Sequence, residues 1–349
     1  MKDVRPATLV VGGLFDAEDL WRTLESFKAI EQQNPGHKNS LILGPWFHAN
    51  WTYGNDWHLG DVAYDSTTTE WFRSHVELPF FNHYLKDSAE VPLPKATLFD
   101  IGANRWREFD QWPPKKTLSK QLYLRADGAL NFSPAREPSS FDEYVSDPAH
   151  PVPYENSLYV YRSITYMMAD QRFASQRPDV VTFKTDPLED STTIAGPVYA
   201  NLVVSTSGTD ADFIVKIIDV YPDTSSYYLA LGYPFTTEKK YVYIGGYQML
   251  VRAEVFRGRY RNSYEKPEAF LPNSPTHLRF YMPDVMHTFR PGHRIMIQVQ
   301  STWFPLVDLN PQKFVNIFTA KQSDFQKATQ RIYHDAKHQS YLEIQLLGK

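Results

Sequence analysis

The sequence predicts an α/β segment followed by an antiparallel β-sandwich, and two patterns carry that prediction. Over residues 1–90, short apolar runs closed by Gly or Pro bracket an amphipathic helix, the grammar of a βαβ unit. From about residue 95 onward the hydrophobic period drops to two, the grammar of half-buried strands separated by turns. The chain has 349 residues, enough for two domains of about 100–200 residues each.

Thr8-Leu9-Val10-Val11 is an apolar run ended by Gly12-Gly13, as a buried parallel strand should be. A helix is expected from Asp16 to about Asn34, with Leu20, Leu24, Phe27 and Ile30 on one face and Pro35-Gly36 ending it. Leu41-Ile42-Leu43 forms the second strand, closed by Gly44-Pro45, parallel to the first. Thr67-Thr68-Thr69-Glu70 has capping-box spacing and opens a second helix that must accommodate Pro79. In the region 91–349, Leu278, Phe280 and Met282 alternate with polar residues. So do Ile295, Ile297 and Val299, and again Leu342, Ile344 and Leu346. Residues 133–155, rich in Pro, Ser and Asp, read as a long ordered loop.

Composition narrows the function. Hydrophobic residues at 42% and charged residues at 22% suit a chain with a real core. A net charge of -4 supplies no basic field, so nucleic-acid partners are not expected. The absence of cysteine excludes disulfides, thiolate metal sites and a cysteine nucleophile. No apolar run reaches the roughly 18 residues of a membrane span, so no membrane partner is expected. The compartment stays open.

Functional groups of open α/β sheets gather beyond the carboxyl ends of the strands. Asp16 in GGLFDAED follows the first strand, and His48 in GPWFH follows the second. Adjacent strands lie about 5 Å apart, so the two loops can bring carboxylate and imidazole together as a general acid–base pair. The plainer reading makes Asp16 a helix cap and His48 a loop residue bonded to backbone. Trp46, Trp51 and Trp57 flank the His48 loop and are read either as an aromatic wall for a substrate or as packing. Trp21 and Trp71 are read as packing.

Asp210 and Asp212 are read as ion-pair or turn residues rather than a calcium cage. His287 and His293 lack the further ligands zinc requires. Arg252, Arg257, Arg259 and Arg261 form a basic stretch suited to pairing with carboxylates across a domain or subunit boundary.

VGGLFDAEDLW and LILGPWFHANW resemble the acid and histidine loops of the serine hydrolase family that contains cocaine esterase, X-Pro dipeptidyl peptidase and the α-amino-acid ester hydrolases. DQRFASQRPDV, GTDADFIVKIIDVYPD, YQMLVRAEVFRGRYRNSYEKPEAF, HTFRPGHRIMIQVQSTWFP and NPQKF resemble the α-amino-acid ester hydrolase and glutaryl-7-ACA acylase branch, so the likeness runs over essentially the whole chain. It implies the end of an α/β-hydrolase domain over 1–90 and an all-β jelly-roll sandwich over 91–349. It also implies Asp16 as triad acid and His48 as base, no cofactor, and a small ester, amide or peptide as substrate. A homo-oligomer is compatible with it.

The pattern departs from the family in one respect. No serine sits in a G-x-S-x-G elbow; the nearest, Ser207-Gly208, lacks the first glycine and precedes a strand. The resemblance places the nucleophile, and the acidic residues that hold a substrate ammonium group, in a preceding portion. That portion is expected as a partner, and any export signal of a periplasmic or secreted parent would lie there. This chain alone is expected to be inert. A plain esterase or an X-Pro dipeptidyl peptidase remains open, as does a stand-alone β-sandwich that binds protein or carbohydrate.

Overall fold

The computed structural model describes residues 1–53, 57–64, 66–89, 92–157, 161–226, 228–231 and 239–348. Strands β1 (Thr8–Gly13) and β2 (Asn39–Gly44) pair in parallel, Val10 opposite Leu41 and Gly13 opposite Gly44, with helix α1 (Leu20–Gln33) between them in sequence. The helix buries Leu20, Leu24, Phe27 and Ile30, the stripe its periodicity requires. It starts four residues later than expected because the Asp16 carboxylate accepts the Glu18 and Asp19 N–H groups at 2.8 and 3.0 Å, holding the chain in a turn.

The second helical stretch comprises Thr68–Phe72, a π-helical turn over Arg73–Glu77, and Leu78–Lys86. Proline lacks an N–H and crowds the preceding turn. The wide turn absorbs that defect and leaves Pro79 in the first turn of the last segment. Thr67 bonds the Glu70 side chain at 3.0 Å and caps no backbone N–H, so the expected capping box is not formed.

Strands β3 (Ala96–Asp100) and β4 (Arg105–Phe109) complete a four-stranded sheet in the order β1-β2-β3-β4. The first sheet therefore runs past residue 90, where the domain boundary had been expected, and past about residue 95, where the pattern was read as changing. Glu90 and Val91, on either side of that boundary, lie outside the described residues. Strand β3 is buried along its whole length, as a parallel strand covered on both faces is and a half-buried sandwich strand is not.

The sandwich is built from β5 (Thr117–Leu124), β6 (Leu130–Asn131), β7 (Phe141–Ser146), β8 (Val181–Lys184), β9 (Thr192–Thr206) and β10 (Asp212–Val220). It continues with β11 (Gln248–Arg257), β12 (Thr276–Phe289), β13 (Arg294–Gln300), β14 (Ala328–Tyr333) and β15 (Tyr341–Leu347). One sheet has the order β8-β13-β10-β11. The other has seven strands in the order β6-β5-β15-β9-β14-β7, with β12 also paired to β9. Leu202, Phe213, Val215, Leu278, Ile297 and Leu342 fill the space between them, fully buried. Each such side chain contributes about 1.5–3 kcal/mol relative to exposure.

Strand β7 corrects the expectation of a continuous loop over 133–155. It pairs with β14 and turns only Tyr144 and Ser146 fully inward, while Phe141 and Val145 are exposed, so no apolar period marks the buried face. Met296, Gln298 and Gln300, expected to face water, are also buried, because Tyr154, Tyr166 and Trp303 cover the outer face of β10, β11 and β13.

The two regions share one core. Leu14, Phe15, Leu24 and Phe27 pack with Met249, Met286 and Ala195 of the sandwich. The Thr288 hydroxyl donates to Asp100 Oδ2 at 2.6 Å, joining β12 to β3. Among the described residues no helix is long and apolar enough to cross a membrane.

Candidate active site

The carboxyl ends of β1 and β2 lie side by side, and the loops leaving them are stitched together. Leu14 N donates to Gly44 O at 2.8 Å, and Phe15 N donates to Trp46 O at 3.0 Å. Glycine is needed at both strand ends: a Cβ on Gly13 would overlap the Trp46 carbonyl, and one on Gly44 would overlap the Trp46 ring. The Asp16 side chain is buried. With its Oδ1 held by two N–H groups of its own turn, Oδ2 faces His48 Nδ1 at 3.1 Å.

His48 is half exposed, and Asp19 Oδ2 lies 3.6 Å from the same Nδ1. A carboxylate on Nδ1 favours the tautomer that keeps its proton there and leaves Nε2 as the basic nitrogen. Ala49, in the left-handed region with φ 59°, and the 3₁₀ turn Asn50–Thr52 then carry the chain away. Asp16, Asp19 and His48 bring three donor atoms close enough for a metal ion. Asp16 Oδ1 is already spent on backbone N–H groups, and Oδ2 and Nδ1 face each other at hydrogen-bond distance. The donor set is thus organised as an acid–imidazole pair, not as a cation cage.

Residues 89–343 match the family described as the X-Pro dipeptidyl-peptidase C-terminal non-catalytic domain. The chain belongs to this family. Asp16 and His48 precede the matched residues of the X-Pro dipeptidyl-peptidase C-terminal domain. The chain is 28% identical to cocaine esterase of Rhodococcus sp. (strain MB1 Bresler), over 98% of this chain and 56% of that protein. A solved aminopeptidase from a marine-sediment Thaumarchaeota archaeon superposes with a TM-score of 0.90 at 39% identity, covering 99% of this chain and 56% of the other. A solved α-amino-acid ester hydrolase gives 0.89 at 39% identity, over 98% and 56%. The chain thus spans about half the length of the relatives it matches. These likenesses agree with membership of the cocaine esterase and X-Pro dipeptidyl-peptidase family.

On the sandwich side of the acid loop lies a cavity of about 370 Å³, lined among others by Glu18, Trp21, Arg162, Tyr166, Glu254 and Trp303. Glu18 is ion-paired to Arg162, whose hydrogen bond and charge hold the Glu18 carboxyl below the usual range. Burial pushes Glu254 up to about 7, against the Val255 N–H bonded to it and the charge of Arg252. Glu18, Arg162 and Glu254 were not singled out from the sequence. The DAED string could have pointed to Glu18 and Asp19, which share the acid loop. Arg162 and Glu254 come from distant segments, and no local pattern marks them.

The tryptophans divide between the two readings, and Trp21 departs from its own. Trp46 is 1% exposed and donates Nε1–H to Thr68 Oγ1 at 3.0 Å. Its ring packs on Trp51, Phe72 and Trp106, so it anchors the histidine loop to the helix behind and offers no wall to a substrate. Trp51 and Trp57 are partly buried, and Trp57 packs edge-on against His58. Among the described residues neither ring packs against His48. Trp71 stacks on Trp106 and is a packing residue. Trp21, expected to pack, is 53% exposed at the mouth of the cavity, because α1 turns that position away from its buried stripe.

Other sequence candidates are engaged with protein partners. Asp210 pairs with Arg259, and Asn310 bonds both Asp210 and Asp212. His287 and His293 both meet Asp219. Arg257 and Arg261 pair with Asp308 and Glu268. Arg252 differs: its guanidinium bonds backbone carbonyls.

Proposed function

We propose that this chain supplies the acid, the base and a jelly-roll domain to a serine hydrolase that acts on α-amino-acid esters or related amides. Residues 1–90 would be the end of its α/β-hydrolase domain, and the nucleophile would come from a preceding portion. The observation that carries the reading is the 3.1 Å approach of Asp16 Oδ2 to His48 Nδ1 at the ends of adjacent parallel strands. Acid before histidine is also the chain order of α/β-hydrolases.

In that reading His48 Nε2 takes the proton of the attacking serine hydroxyl and returns it to the leaving group. A water then releases the acyl group by the same route. Asp16 keeps the ring oriented and stabilises the imidazolium through Nδ1. Asp19 adds negative charge beside the base, and the acidic residues that hold a substrate α-ammonium group would come from the preceding portion. An amino-acid ester and a peptide N-terminus share that group. The likeness to an aminopeptidase therefore favours a second reading in which the scissile bond is a peptide.

The test is hydrolysis of an α-amino-acid methyl ester by this chain alone and by the chain joined to the nucleophile-bearing portion. Activity is expected only in the joined protein, falling at least about 1,000-fold in Asp16→Asn and His48→Ala. Turnover by the chain alone, or covalent labelling of one of its serines by a serine-directed phosphonate, would refute the reading. Inactivity of the joined protein would favour a binding or purely structural sandwich.

A further inference from the structure

Arg252 lies on β11 in the sandwich, 2% exposed. A buried guanidinium ordinarily meets a carboxylate, because removing a charge from water costs several kcal/mol unless it is paired. Among the described residues no carboxylate forms an ion pair with Arg252. Its Nη1 donates instead to Leu14 O at 2.9 Å and its Nη2 to Asp284 O at 3.1 Å. Burial draws its pKa down to about 10, with the Tyr281, Asp284 and Glu254 side chains opposing, so the group remains charged at neutral pH.

Leu14 is the first residue beyond β1 and lies two residues before Asp16. Its N–H is bound to Gly44 O, but its carbonyl has left the sheet ladder and is buried with the rest of the residue. A buried carbonyl requires a donor, and the sandwich provides one from 238 residues away. The Asp284 end of this contact is firm: its carboxylate accepts from Trp112 Nε1 at 2.7 Å and from the Tyr281 hydroxyl at 2.6 Å. The acid loop is thus held on one side by the histidine loop and on the other by Arg252.

We infer that Arg252 is a positioning residue for the Asp16–His48 pair, through which the sandwich sets the geometry of the acid loop. The inference rests on the hydrolase reading for its kinetic consequence, but its structural consequence can be measured in this chain alone. Stability by itself gives a poor reason for the residue, since replacing a buried charge with an apolar side chain of similar volume is often neutral or stabilising.

The experiment compares Arg252→Met and Arg252→Lys with the unsubstituted chain. Both variants are expected to fold, as judged by circular dichroism and thermal melting. The His48 Nδ1-bound proton signal in ¹H–¹⁵N spectra should broaden or vanish, and the Phe15 and Asp16 amides should exchange at least about 10-fold faster. In the protein joined to its nucleophile-bearing portion, kcat should fall by about 10–100-fold while KM changes less than about 3-fold, as misplacement of a catalytic pair requires. Unchanged His48 signal and amide exchange in both variants would overturn the inference. So would failure of both to fold, because Arg252 would then serve stability. Full activity of Asp16→Asn in the joined protein would sink Asp16 as the triad acid, and inactivity of the unsubstituted joined protein would sink the hydrolase reading; either leaves the spectroscopic comparison to decide on Arg252 separately.

Discussion

Asp219 Oδ2 lies 2.9 Å from Nε2 of His287, tying β10 to β12 across the two sheets of the sandwich, and His293 Nδ1 meets the other carboxylate oxygen at 2.8 Å. All three groups are largely withdrawn from water. Burial alone would raise the Asp219 pKa, but the hydrogen bonds and charges of His287 and His293 outweigh it and hold the carboxyl below its ordinary value.

A carboxyl depressed in the folded state contributes stability that is present above its unfolded pKa, about 3.9, and is lost as pH falls through the folded value. The acid limb of the stability profile should therefore carry an Asp219 component below about pH 4. Asp219→Asn should cost about 3–5 kcal/mol at pH 7, the penalty for breaking a buried pair, and flatten that limb. Urea unfolding between pH 3 and 7 reads both effects. An unchanged midpoint at pH 7 would show that the imidazoles find other partners.

Lys216 behaves oppositely. It is fully buried on β10, donates to Gln171 Oε1 at 2.9 Å, and lies 5.3 Å from the Trp303 ring centroid. Burial draws its pKa down to about 7. Between that value and the unfolded pKa, about 10.4, the unfolded chain binds more protons, so stability rises with pH through this window. Lys216→Met should remove the rise and stabilise the protein at pH 7 by roughly 1–4 kcal/mol. Denaturant titrations from pH 6 to 10 test it, and a destabilised Met variant would mean that the bond to Gln171 outweighs the desolvation cost.

Glu254 gives a third signature, at the cavity beside the acid loop. With its pKa pushed up to about 7, the folded chain holds more protons than the unfolded one from about pH 4.3 upward. Stability should fall as pH rises toward 7, by about 2 kcal/mol once partial exposure is allowed for. Glu254→Gln should abolish that decline. A decline of the same size in the Gln variant would assign it to another group.

How much of this was legible in the sequence depends on how local the cause is. The stripe of α1 and the parallel pairing of β1 with β2 follow from apolar spacing within about ten residues, and the structure has both. Asp16 and His48 were found because each stands at a fixed offset from a strand end, where sheet geometry alone brings their loops together. Strand β7 was missed because its inward residues are one tyrosine and one serine, which a hydropathy pattern cannot separate from loop. Trp46 was left open between a substrate wall and packing for a related reason. Proximity to His48 in sequence does not say which side of the loop an indole takes, and its bond to Thr68 decides that. Arg162 and Arg252 reach the acid loop, at Glu18 and Leu14, from far away in the sequence, and such long-range partners leave no periodic trace.

Gly13 joins the fold to the candidate chemistry and gives the sharpest local test. It ends β1 opposite Gly44, and its α-carbon faces the Trp46 carbonyl that accepts from Phe15 N. The atom in the way is backbone, not the end of a flexible side chain, so an alanine there cannot be relieved by a rotamer change. It must spread the acid loop from the histidine loop. Gly13→Ala should therefore cost about 1–3 kcal/mol, as overpacking of a tight contact does. The Asp16–His48 pair should open with it, since Phe15 N–H is the last backbone bond before Asp16. In the joined protein the same substitution should lower kcat far more than the stability loss alone explains, because a 1 Å displacement of a catalytic pair can cost about 100-fold. Thermal melting and ester hydrolysis measured on one preparation separate the two effects. A variant that loses stability yet keeps full turnover would mean that Asp16 is held by its own turn, through Glu18 and Asp19, and does not depend on the contact between the loops.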